Sequence, residues 1–208
     1  MRSFLRHVLG PAVMLLIMLT LITGAAYPAL ITAVAQVAFP SQANGSMIVA
    51  NGKTVGSSLI GQCFTDQKYF WGRPSAATAS SADTCGYDAS NSAGTNLGPT
   101  SSQLIDNVVA AVDAAQKANG GGPVPVDLVT SSASGLDPNI SPAAAEYQVA
   151  RVAAARGMAP DAVRAIVARH TSQPLLGFLG EPRVNVLELN LDLDGLLTSS
   201  AAAPAAAG

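Results

Sequence analysis

Side chains that do chemistry are scarce in this chain. Its two histidines are His7 and His170, and its two cysteines are Cys63 and Cys85, so a metal site has little to draw on. His7 lies in an apolar stretch, which leaves any histidine-dependent mechanism to His170. His170-Thr171 ends a helical pattern, where a histidine reads first as a cap favoured by the helix dipole. Serines are plentiful, but none sits in a Gly-x-Ser-x-Gly elbow. Asp127, Asp137 and Glu146 are the carboxylates that could pair for acid–base work, yet Asp137-Pro138 ahead of Ser141-Pro142 is turn chemistry. The run Asn91-Ser92-Ala93-Gly94-Thr95-Asn96 could offer backbone N–H groups to an anion but lacks the Gly-Lys-Ser/Thr ending of a P-loop. None of this supports an enzyme acting alone.

Composition narrows the field further. The 208 residues are 49% hydrophobic and only 12% charged, against about a quarter charged in an ordinary soluble domain. That excludes a disordered chain. With a net charge of −2 and no Lys/Arg cluster, nucleic-acid binding is excluded too.

The excess apolarity is concentrated at the start. After Arg2 and Arg6 no charged residue appears until Lys53, and residues 8–38 are nearly all apolar or small. About 20 such residues cross a bilayer. A cleaved secretory signal, cut near Gly24-Ala25-Ala26, is the competing reading. The apolar character continues through Leu30, Ile31, Val34 and Val37, which favours a retained helix. In either case Arg2 and Arg6 hold the N-terminus in the cytoplasm, residues 1–7, and place residues 40–197 outside. There, nine Lys and Arg stand against all 13 Asp and Glu, a net of −4. In that oxidising setting Cys63 and Cys85 are either a disulfide, stabilising by about 3 kcal/mol, or two partly buried thiols.

The outer part reads as α+β: one N-terminal transmembrane helix followed by a small mixed α/β extracytoplasmic domain. Phe39-Pro40 stops the first helix. Asn51-Gly52, between Met47-Ile48-Val49 and Thr54-Val55, predicts a hairpin. Lys68 to Ser75 is an aromatic cluster with Arg73, read as a core edge in preference to a binding site. Ser75 to Thr100, almost without bulky residues, reads as an excursion laid over the domain. Leu104, Ile105, Val108, Val109 and Val112 line one face of a helix capped by Thr100 or Ser101 and ended by Asn119-Gly120. Pro123 to Thr130 reads as an extended edge segment. Ser141-Pro142 opens a helix to Gly157, and Pro160 to His170 makes another with Val163, Ile166 and Val167 inward. Arg183 to Asp194 reads as a strand with a bulge at Val186-Leu187, and residues 198–208 as a disordered tail.

Several longer strings resemble one family. Thr23-Gly24, Tyr27-Pro28 and residues 35–46, with Gln42 and Asn44, are similar to the C subunit of the Kdp-type potassium-transporting ATPases. So are residues 56–62 ending in Gln62, residues 69–75 with Tyr69 and Arg73, and Asn96-Leu97-Gly98-Pro99. The likeness continues through residues 127–130 starting at Asp127, residues 134–138 with Asp137, residues 147–153 with Gln148 and Arg151, and residues 176–187 with Arg183. Two departures stand out: Ser92-Ala93-Gly94-Thr95-Asn96 replaces the family's Ser-Gly-Gly-Ser-Asn, and Asn139 replaces a His.

The resemblance implies a non-catalytic, single-pass subunit of a bacterial inner-membrane complex that imports potassium using ATP. Its partners would be a channel-like subunit, a P-type ATP-hydrolysing subunit and membrane lipid. It would aid assembly and act as a catalytic chaperone for ATP binding, with ATP and potassium used by the complex and no cofactor of its own. The altered glycine at Ala93 weakens a nucleotide-contacting role for that loop. The named polar residues are the candidate partner contacts or fold-holding positions, and residues 62–75 and 91–99 are expected to be buried against partners. A stand-alone binding module for a small polar ligand or cation is the alternative, and an anchored enzyme using His170 a third reading.

Overall fold

The computed structural model describes residues 5–77 and 86–196. Arg2, Cys85 and the expected tail from residue 198 lie outside them. Cys63 is disulfide-bonded.

The chain divides into two units, Met1–Met47 and Ile48–Gly208. In the first, His7–Ala38 form one unbroken helix, α1. It is apolar all round, and its large side chains are exposed along its length, the pattern of a helix that needs an apolar surround. Two stretches, Leu5–Leu9 and Ile22–Ala26, widen to π-helix, each just ahead of a proline, Pro11 and Pro28. Proline removes a backbone donor and crowds the preceding turn, and a local widening accommodates both. Phe39 leaves helical geometry at φ −139°, and α2, Pro40–Ala43, makes one further turn.

The expected hairpin begins at that boundary: β1, Met47–Ala50, and β2, Lys53–Ser57. Asn51 and Gly52 sit at φ 51° and 74°, the pair of positive values that a two-residue primed turn demands. Helix α3, Ser102–Asn119, starts where the Ser101 hydroxyl accepts from Leu104 N–H and ends at left-handed Gly120. Helix α4, Pro142–Arg156, has Ser141 as its cap, Pro142 in its first turn and Gly157 at φ 64° beyond its end. Helix α5 is Pro160–Arg169.

A three-stranded sheet, ordered β3-β5-β4, joins Asn139–Ile140, Arg183–Asn185 and Thr171–Ser172. Both pairings are antiparallel, with Ile140 opposite Val184 and Thr171 opposite Val184. The core gathers Phe70 with Ala144, Ala145, Val149, Val152 and Ala153 of α4, Val163 and Val167 of α5, Val184 of β5, and Val186 and Leu189.

Three sequence expectations need correction. Arg183 to Asp194 is not a bulged strand: β5 ends at Asn185, and Val186–Leu193 form helix α6. The slip at Val186-Leu187 is the change from a period of 2 to one of 3.6. It is set by Asn185, whose side chain accepts from Glu188 N–H and starts the helix. Pro123 to Thr130 is not an edge segment, because Val126–Leu128 close a 3₁₀ turn. The turn brings the Asp127 carboxylate to Ser141 N–H at 2.7 Å, a contact that a straight strand would forgo. The apolar stripe of α3 is only half met: Leu104, Val108 and Val112 are half-buried, whereas Ile105 and Val109 face solvent.

Candidate functional site

Residues 70–75 run through the domain without a strand beside them. Their backbone polar groups still need partners, and two buried helix amides supply them. Phe70 N–H donates to Asn190 Oδ1 at 2.8 Å, and Asn190 Nδ2 donates to Phe70 C=O at 2.9 Å. One residue on, Trp71 N–H donates to Gln148 Oε1 at 2.8 Å, and Gln148 Nε2 returns a bond to Trp71 C=O at 3.1 Å. Each side-chain amide thus does what one residue of a neighbouring strand would do. Gln148 and Asn190 are each 1% exposed.

Arg151, one turn beyond Gln148 on α4, completes the clamp. It donates to Gln148 Oε1 at 2.6 Å, to the Gln67 and Tyr69 carbonyls at 2.6 and 3.0 Å, and to Asn119 Oδ1 of α3 at 2.9 Å. Its guanidinium stacks on the Trp71 ring, 3.9 Å from the centroid. Every one of these acceptors is a neutral oxygen. Burial therefore pushes the guanidinium down to about 10, and it stays charged at neutral pH. Tyr69 O–H donates to Asp194, which also takes Arg156, and this hydrogen bond together with burial raises the phenol above its ordinary value.

The far end of the segment is tied to the 130–137 turn. Arg73 donates to Asp137 at 3.2 Å and to the Thr130 and Ser131 carbonyls, while Asp137 also receives Asn139 N–H. The Ser75 hydroxyl donates to Gly135 C=O and accepts from Tyr87 N–H. Tyr87 O–H donates to Arg73 C=O, and burial pushes the phenol up to about 12. Its ring lies so close to Gly61, and its hydroxyl to Gly72, that a Cβ there would come within 2.3 and 2.6 Å. Gln62 Nε2 donates to Val55 C=O in β2. Gln62, Phe64, Trp71, Arg73, Ser75 and Tyr87 line an open cleft of about 320 Å³.

The structure therefore brings together Gln62, Tyr69, Arg73, Asp137, Gln148 and Arg151 around one extended segment. Asp127 lies apart, holding the start of α4 through Ser141 N–H and hydroxyl. Asn44 exchanges hydrogen bonds with Gln36 of α1 and donates to Pro40 C=O, and the Gln42 side chain is exposed. Asn96 is exposed at φ 53° and donates to Gly94 C=O. Arg183 is exposed and makes no ion pair among the described residues.

Asp127, Asp137 and Glu146 do not converge: Glu146 pairs with Arg164 instead. His170 caps α5, with Nε2 2.8 Å from Asp192 Oδ2. Burial works against the Asp192 carboxylate, but Arg169 and His170 outweigh it and hold its pKa down. No group of three metal-ligating side chains gathers among the described residues. Within residues 62–75, Phe70 is wholly buried and Trp71 half-buried in this chain's own domain.

The sequence pattern gives Asn190 no task, because Arg183 to Asp194 reads there as a strand. The usable signal was a polar residue on a buried helix stripe, which must find an internal partner. Tyr87 and Asn185 carried no such sign.

The family model described as K+-transporting ATPase, c chain (KdpC), matches residues 9–195. A "Potassium-transporting ATPase KdpC subunit" of Sorangium cellulosum is 58% identical over 189 residues, covering 90% of this chain and 97% of the relative. The protein of the same name from Koribacter versatilis is 56% identical over 184 residues, or 88% and 92% of the two chains. That from Variovorax paradoxus is 56% identical over 192 residues, or 91% and 97%. The match runs through α1, the amide-clamped segment and α6 alike, and the chain belongs to the KdpC family.

Proposed function

We propose that this chain is the small, non-catalytic subunit of an ATP-driven potassium import complex. Helix α1 spans the bacterial inner membrane once, with Arg2 and Arg6 on the cytoplasmic side and the domain outside. A channel-like subunit and a P-type ATP-hydrolysing subunit are its partners. It aids their assembly and acts as a catalytic chaperone for ATP binding, while ATP and potassium are used by the complex. The observation that carries this reading is the family match over residues 9–195, which includes the apolar helix and the whole folded domain. The clamp supports a scaffold role: Gln148, Arg151 and Asn190 spend their polar atoms on the chain's own backbone and on one another, which makes a stiff surface.

The test is purification of the tagged chain in mild detergent from potassium-starved cells, with potassium-stimulated ATPase assayed in the eluate. Co-elution of both partners with activity is expected. Elution of the chain alone would overturn the proposal. For the chaperone role, the KM for ATP of the complex is compared with and without this subunit, and an unchanged KM would refute it.

A further inference from the structure

The connection between β4 and β5 carries an unusual tip. Leu175, Leu176, Phe178 and Leu179 are 68, 75, 73 and 51% exposed, with only Gly177 between them. Exposed large apolar side chains occur singly on most surfaces, and four on one short turn mark a contact site. Four of the six N–H groups in residues 174–180 bond within the tip. Leu175 N–H donates to Leu179 C=O at 3.1 Å and Leu179 N–H to Leu175 C=O at 2.9 Å, with Gly177 and Phe178 N–H bonded to Pro174 and Leu175. Left-handed Leu176, Gly177 and Gly180 make the tight reversal.

From these features we propose that residues 174–180 insert into the lipid interface, as a second membrane attachment of the domain. The inference rests on the reading of α1 as membrane-spanning. Three observations favour lipid over a protein groove. Internally paired amides are what an apolar phase requires of a backbone, whereas a protein partner could have supplied those bonds itself. The tip offers four aliphatic or aromatic side chains and no polar one, so it has nothing with which to specify a protein partner's polar rim. Arg183, exposed at the base of the loop and without a carboxylate partner among the described residues, is placed to meet a lipid phosphate while the tip enters the acyl boundary.

The experiment uses the full chain in vesicles of phosphatidylethanolamine and phosphatidylglycerol with brominated acyl chains. Phe178→Trp is expected to be quenched by the brominated lipid about twofold more than either the unsubstituted chain or the control Val126→Trp. Val126 is 70% exposed but lies outside the loop. Quenching of Phe178→Trp by aqueous iodide and not by lipid overturns the proposal. Shielding from both quenchers once the partner subunits are added also overturns it, in favour of a protein contact. Retention of the chain under alkaline carbonate with no lipid quenching removes the loop attachment alone. Release by carbonate removes the spanning helix and this inference with it.

Discussion

The segment around Phe70 and the tip around Phe178 invert the usual expectation about polarity. The first is rich in polar and charged neighbours, which suggests a surface for partners, yet its polar groups are turned inward and used up. The second is almost purely apolar, which suggests core, yet it stands in solvent. A polar group is costly to bury only when unpaired. A full set of internal partners therefore makes polarity compatible with the deepest positions, and the apolar tip becomes the part free to meet something else.

The contrast can be broken by substitution at either place. Gln148→Leu keeps the volume but leaves the Trp71 N–H and C=O unpaired and takes an acceptor from Arg151. At about 1–3 kcal/mol for each stranded buried group, a loss of about 3 kcal/mol or more is expected in the unfolding free energy from urea titration of the detergent-solubilised chain. Asn190→Leu strands two groups and not three, and about 2–3 kcal/mol is expected from the same measurement.

Tyr87→Phe sharpens the comparison through pH. The phenol is held at about 12 in the fold against an ordinary 10, so the folded state keeps its proton longer. Its contribution is complete below pH 10 and is lost between pH 10 and 12, at about 1.4 kcal/mol per unit at most. Arg151, depressed to about 10, slopes the opposite way in that range. The difference between the parent and Tyr87→Phe in alkaline unfolding isolates the tyrosine, and a constant difference from pH 9 to 12 would refute the assignment. The smallest effect is expected at the tip. Leu175→Ser with Phe178→Ser should change the unfolding free energy by no more than about 0.5 kcal/mol, since neither side chain is packed. A larger loss would mean that the tip serves the fold.

The parts of this architecture that local chemistry dictates were legible in advance. Asn51-Gly52 announced the hairpin, and Ser101 with Gly120 and Ser141-Pro142 with Gly157 bracketed two helices, because caps act on backbone groups a few residues away. Arg183 to Asp194 misled because alternating Asn and Glu mimic a strand, whereas burial of Val186, Leu187, Leu189 and Leu191 follows the helix. The site was legible only through family resemblance, which singled out Gln148 and Arg151 without their task. The bonds from Gln148 to Trp71 and from Asn190 to Phe70 span 77 and 120 residues, and no spacing rule reaches that far.

That separation also has a cost in time. Phe70 and Asn190 are 120 residues apart, so at ordinary synthesis rates Phe70 is made roughly 6–24 s before its partner exists. Until α6 arrives, the segment has unmet amides and an uncovered aromatic ring. The domain can lock only once α6 has been made, and a truncation just short of Asn190 would leave it open.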